Sequence, residues 1–174
     1  WSLQIYDRAR NTKQDPMKSY QQQPRKEVRR AQFQSIITAY EAFKTIEIHP
    51  GVREKDKLDF TDMIQKFIEE GVAPKLKVLM VDESQDLTPL QWDLIMKLAE
   101  NADRLYLAGD DDQAIYEWNG ADADFFVHFP GKIKILKQSR RIPDRIHCFS
   151  QLLMVPAKGF RQEKEFHPRA EEGS

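Results

Sequence analysis

Glycine is scarce in this chain of 174 residues, and its placement is telling. The seven glycines stand at positions 51, 71, 109, 120, 131, 159 and 173, and none completes the pattern GxxxxGK[ST]. A loop of that form cradles phosphates with backbone N–H groups, so these residues alone do not supply one. Cysteine is scarcer still: the lone Cys148 excludes an internal disulfide and fits a reducing compartment. No apolar run reaches the ~18 residues of a membrane span, and the start Trp1-Ser2-Leu3-Gln4 is polar. These absences lead us to expect a cytoplasmic protein with no membrane partner.

Charge is plentiful and unevenly spread. Residues 1–57 hold 12 Lys and Arg against 7 Asp and Glu; residues 58–127 hold 5 against 16; residues 128–174 hold 10 against 5. An acidic centre therefore lies between basic flanks. Such blocks suit three solvated surfaces, or metal and nucleotide chemistry in the middle with phosphate-binding groups on either side.

Hydropathy patterning divides the chain further. Residues 1–24 are polar and Gln-rich, with Pro16 and Pro24, and suggest only broken helix or loop. Between Arg25 and Ile46, apolar residues from Val28 to Phe43 recur every three or four positions, the period of an amphipathic helix that ends at His49-Pro50-Gly51. Asp59 or Thr61 can cap a helix reaching Glu70. Strands are expected at Lys77–Val81, Arg104–Ala108 and Ile133–Leu136, with helices at Pro89–Ala99, Ala121–Phe129 and Pro143–Leu153. Strands separated by helices indicate an α/β fold with a mostly parallel sheet and helices on both faces.

Two strands end in acids: Val81 runs into Asp82-Glu83, and Ala108-Gly109 into Asp110-Asp111-Asp112-Gln113. Ligands of open parallel sheets bind beyond the carboxyl ends of strands, where a carboxylate can hold Mg²⁺ and a neighbour can activate water. The same acids could instead cap turns. Tyr116 and Trp118 follow at once; they suit either the protein core or stacking on bases of a single strand.

Gly109 to Ala121, GDDDQAIYEWNGA, resembles motif III of the UvrD/Rep (PcrA-like) superfamily 1 DNA helicases, usually GDDDQSIYGWRGA. Val81 to Asp86 resembles their motif II, Leu136 to Arg141 their motif IV (LEQNYR), and Leu58 to Asp62 their LDFxDLL segment. Four matches in family order span residues 58–141.

The resemblance implies a partial RecA-like P-loop NTPase motor that uses ATP and Mg²⁺. It implies Asp82 as the metal ligand, Glu83 as activator of the hydrolytic water, and Gln113 as the γ-phosphate contact. Arg141 would reach the γ-phosphate from a second motor domain, and Arg140 would stack on adenine. Tyr116, Trp118, Asn119 and Phe60 would touch DNA, although a place in the core suits Phe60 as well. Three positions depart from the family pattern: Asn119 stands for Arg, Arg140 for Tyr, and Glu117 for Gly.

With no phosphate loop, the expectation is a segment of a longer helicase. Residues 1–55 would end the inserted subdomain 1B, residues 56–137 would form the second half of motor domain 1A, and residues 138–174 would begin domain 2A. Its partners would be single-stranded DNA, single/double-strand junctions and the remainder of the helicase chain. Its incomplete sheet could be closed by that remainder or by a domain-swapped or edge-paired homo-oligomer. Two other readings of the acidic centre are a two-metal nuclease or phosphatase and a non-catalytic single-strand-binding module.

Overall fold

The computed structural model describes residues 1–45, 57–154 and 164–169. The expected helix end at His49-Pro50-Gly51 lies outside the described residues.

Four helices come first: α1 (Ser2–Asn11), α2 (Pro16–Gln21), α3 (Arg30–Lys44) and α4 (Phe60–Glu70). The Gln-rich opening stretch, expected to be broken helix or loop, is broken into α1 and α2 but also supplies much of a core. Ile5 from α1, Tyr20 from α2, and Phe33 and Ile37 from α3 are buried together, with Trp1, Tyr6, Met17 and Val28 packed around them. The Tyr20 and Phe33 rings stack at 4.7 Å, and the Trp1 ring meets both edge-on. Five apolar side chains in the first twenty residues, Trp1, Ile5, Tyr6, Met17 and Tyr20, seat these helices, too few to show a clear period. Asp15 caps α2 by accepting from the Lys18 N–H, with Pro16 in the first turn.

Ion pairs join this bundle to α4. Asp59 caps α4 in a reciprocal box with Asp62. Both carboxylates are gripped by Arg10 of α1 and by the buried Lys44 of α3. Arg10 Nη1 lies 2.8 Å from Asp59 and its Nη2 bonds Asp62; Lys44 Nζ lies 2.9 Å from Asp59 and 2.8 Å from Asp62. Tyr40 donates its hydroxyl to Asp59 at 3.0 Å. Burial opposes ionisation of Asp59, but bonds from Arg10, the Asp62 N–H, Lys44 and Tyr40 outweigh it and hold the carboxyl well below its usual range.

The α/β part follows. β1 (Leu79–Val81) pairs in parallel with β2 (Leu105–Leu107), Leu79 opposite Leu105 and Val81 opposite Leu107. The crossover helix α5 (Pro89–Ala99) has Pro89 in its first turn and Thr88 as cap, reciprocated by Gln91. Buried Trp92 of α5 packs against Phe125 of α6 (Ala123–Val127) and against Phe129. A second parallel pair joins β3 (Gln138–Pro143) to β4 (His167–Arg169), with α7 (Asp144–Met154) following β3.

The strand expected at Ile133–Leu136 does not form; residues 132–137 are irregular and β3 begins at Gln138. Nor do the described strands make one layered sheet: there are two separate two-stranded parallel sheets. The reason is the absence of a neighbour. A strand is stabilised by its ladder and by what covers it, and Leu136 (76% exposed) and Met80 on β1 (75% exposed) have no partner surface among the described residues. None of the described helices is long and apolar enough to cross a membrane.

Lys44→Met removes an ammonium shared by two half-buried carboxylates while leaving Arg10 in place. We expect urea denaturation to show a loss of roughly 1–3 kcal/mol at neutral pH. Because the Asp59 carboxyl is depressed in the folded state, its contribution is present above the ordinary Asp range of about pH 4 and is lost as pH falls through the depressed value. In Lys44→Met this acid-dependent part should shrink; a parent-like pH profile would contradict the network.

Candidate functional site

The expected strand ends do meet, and they are joined by a residue that the reading of the sequence passed over. Val81 accepts a backbone bond from the Ala108 N–H at 2.8 Å, and Ala108 accepts from the Ser84 N–H at 2.9 Å, which locks the two chain exits side by side. Beyond them the chain turns through Glu83, whose φ of 52° lies in the left-handed region, costly for a residue with a Cβ. Asp82 Oδ1 accepts from the Glu83 N–H at 2.9 Å, and both side chains are exposed.

Gln85, only 1% exposed, sits between the two acidic turns. Its Nε2 donates to Glu83 Oε2 at 2.8 Å and to Asp86 Oδ2 at 3.1 Å, while its Oε1 accepts from the Asp110 N–H at 3.0 Å. Gly109 permits this approach: a Cβ there would stand 2.5 Å from Gln85 Oε1 and 3.0 Å from the Phe126 ring. Burial and the nearby Glu83 push the Asp86 carboxyl up, against the bond from Gln85.

The second turn is an acidic 3₁₀ turn, Asp111–Gln113, capped by Asp110. Gln113 is exposed and donates Nε2 to Asp110 Oδ2 at 2.6 Å. Lys164 closes over the turn from the far end of the chain, its Nζ 2.5 Å from Asp110 and Asp111 and 3.1 Å from Asp112. Burial opposes ionisation of Asp110, yet bonds from Lys164 and Gln113 hold its carboxyl below the usual range. No local signal marks Lys164 in the sequence, because it stands more than fifty residues from its partners.

Tyr116 and Trp118 follow with rings 6.4 Å apart, inclined at 47°. Trp118 is 69% exposed, and Tyr116, Asn119 and Glu117 are also exposed, so the aromatic pair is not core. The turn rests against the end of α1: Gly120 takes φ 98°, which glycine alone adopts without strain, and a Cβ on it would meet Thr12 Cγ2 at 2.5 Å. Phe60, at the start of α4, is 83% exposed, which removes the core alternative for it too.

Arg140 and Arg141 project from β3 and are exposed. Buried Ser139 shapes the strand by accepting from the Arg141 and Ile142 N–H groups at 3.2 and 2.9 Å. Among the described residues, neither arginine has an ion pair or hydrogen bond to Asp82, Glu83 or Gln113. The structure thus brings together the acids of the two turns and the aromatic pair, and leaves the arginines apart.

Asp82 fits a hard divalent cation in chemistry: an exposed carboxylate at a strand's carboxyl end, with one oxygen committed to the Glu83 N–H.

Comparison with known proteins adds a separate line of evidence. The family model described as the UvrD/REP helicase N-terminal domain matches residues 2–134. The chain is 29% identical over 128 residues to a probable DNA helicase II homolog of Mycoplasma pneumoniae, covering 68% of this chain and 18% of that protein. It is 33% identical over 107 residues to the ATP-dependent DNA helicase PcrA of Bacillus subtilis, covering 53% of this chain and 14% of that one. With the ATP-dependent DNA helicase Rep of Escherichia coli it shares 34% identity over 112 residues, 56% of this chain and 17% of the relative. The chain therefore spans less than a fifth of the length of these relatives.

Removing the Lys164 ammonium should relax the acidic turn. In Lys164→Met we expect the Asp110 carboxyl to titrate at higher pH than in the parent, followed by carbon-detected NMR of the side-chain carboxyls. An unchanged titration would show that the contact does not govern the turn.

Proposed function

Because the chain belongs to the UvrD/REP helicase N-terminal domain family, we propose that it is part of an ATP-dependent DNA helicase that moves along single-stranded DNA and unwinds duplex at junctions. The observation that carries this reading is the placement of the Asp82-Glu83 and Asp110–Gln113 turns side by side, with an exposed aromatic pair three residues after the second. A nucleotide site and a strand grip would then share one backbone segment.

In this proposal Asp82 holds Mg²⁺. The bound Mg²⁺·ATP supplies the phosphoryl group and the charge neutralisation that the transfer requires. Glu83, with Oε2 fixed by Gln85, orients a water through its other carboxylate oxygen and accepts its proton there. Gln113 leaves Asp110 to contact the γ-phosphate, so that phosphate state reaches the turn bearing Tyr116 and Trp118. Those rings stack on bases, each contact contributing roughly 1–3 kcal/mol, with Phe60 and Asn119 as further DNA contacts. Arg140 stacks on adenine through its guanidinium plane, and Arg141 stabilises charge on the γ-phosphate once β3 and its surroundings close on the first motor domain.

We assign residues 1–55 to the end of subdomain 1B, residues 56–137 to the second half of a RecA-like domain 1A, and residues 138–174 to the start of 2A. The phosphate-cradling loop is then supplied from elsewhere in the polypeptide, along with the strands that complete the sheet. The two-metal nuclease reading is less favoured, because Asp110, Asp111 and Asp112 are already engaged by the Lys164 ammonium, and because it gives the exposed Tyr116 and Trp118 nothing to do.

In the full-length polypeptide, Glu83→Gln should lower ATP turnover by about 100-fold or more with nucleotide binding retained, as expected for loss of a general base. Parent-like turnover would refute its role. Trp118→Ala should weaken single-strand binding by about tenfold, within the range of one lost stacking contact. Residues 1–174 alone should not hydrolyse ATP; DNA-stimulated turnover by them would contradict the assignment of the phosphate loop to another part of the protein.

A further inference from the structure

We propose that Gln85 is a positioning residue whose single carboxamide fixes the water-activating Glu83 and ties it to the Asp110–Gln113 turn that leads into the DNA-gripping aromatics. The role in turnover rests on the function proposed above; the tie itself does not.

The two ends of one amide do different work. The Nε2 end holds Glu83 Oε2 at 2.8 Å, and without it a side chain on a backbone at φ 52° would be free to swing with solvent. The Oε1 end accepts the Asp110 N–H at 3.0 Å, and Asp110 in turn takes the Gln113 amide at 2.6 Å. A displacement of Gln113 therefore reaches Glu83 through two side chains and one backbone group. Gln85 is almost wholly buried, so water cannot replace either bond without opening the turn. Gly109 makes room, since any side chain there would collide with the Gln85 oxygen. The orientation of the amide is also set by its partners: two carboxylates require the NH₂ on one side, and a backbone N–H requires the oxygen on the other.

Two substitutions separate the ends. Gln85→Met removes both bonds while keeping the shape. Gln85→Glu keeps an acceptor for the Asp110 N–H but exchanges the donor amide for a carboxyl group buried beside Glu83 and Asp86, which repels them when ionised. On the 174-residue chain, hydrogen exchange of the Asp110 amide should quicken by about tenfold in Gln85→Met, the equivalent of one hydrogen bond, and stay close to the parent in Gln85→Glu. In the full-length protein both variants should lose turnover by about tenfold with the KM for ATP little changed, the signature of an interaction that matters in the transition state. Helical circular dichroism and cooperative unfolding check that each variant is folded.

Parent-like protection of Asp110 in Gln85→Met would overturn the tie. Parent-like turnover in Gln85→Met would overturn the positioning role. If instead the full-length parent hydrolyses no ATP, the proposed function fails, and the exchange of Asp110 still decides whether the two turns are joined.

Discussion

The central part of this chain depends on one buried amide. Two parallel strands of three residues each cannot hold two acidic turns in register by their ladder alone, because few backbone bonds are available and one sheet face is open. Gln85 supplies the missing constraint by bonding an acid of one turn and the backbone of the other. The cost of leaving a buried carboxamide unpaired makes this stringent: any arrangement that separates the turns strands a donor and an acceptor away from water. The side-chain-free Gly109 is what leaves room for that amide.

A second frame, electrostatic rather than neutral, fixes what surrounds the site. Arg10 and Lys44 converge on Asp59 and Asp62, so the start of α4, with Phe60 exposed, is anchored to α1 and α3. The same α1 supports the aromatic turn through Thr12 against Gly120. Phe60 and the Tyr116-Trp118 pair thus both take their positions from the C-terminal end of one helix, through Arg10 and Thr12. The basic first segment and the acidic centre of the sequence are joined in one ion-paired body through Arg10, Lys13 and Lys44 on one side and Asp59, Asp62 and Asp93 on the other.

Features carried by local chemistry were legible in the sequence. The cap of α4, offered as Asp59 or Thr61 and found at Asp59, the Pro89 start of α5 and the acidic strand ends were readable because each depends on neighbours within four residues. The acids, the aromatics and their order were readable too, and their resemblance to helicase motifs agrees with the family match. What escaped was set by distance or by missing partners. Gln85 reads as one polar residue in a polar turn, and only the fold shows it buried. Lys164 reaches the acids from beyond fifty residues. Ile133–Leu136 has the composition of a strand and, among the described residues, no neighbour to pair with, so tertiary context overrides its propensity.

The account holds that the same segment bears the acids of a nucleotide site and an open aromatic grip for single strands. Fluorine NMR of the protein labelled with 5-fluorotryptophan tests this most directly, since its three tryptophans report on distinct places: Trp1 in the helical core, Trp92 beneath α6, and Trp118 in the exposed turn. Titration with a single-stranded oligonucleotide should shift the Trp118 resonance in a saturable way and leave those of Trp1 and Trp92 in place. A Trp118 resonance that stays fixed while the oligonucleotide binds would contradict the account.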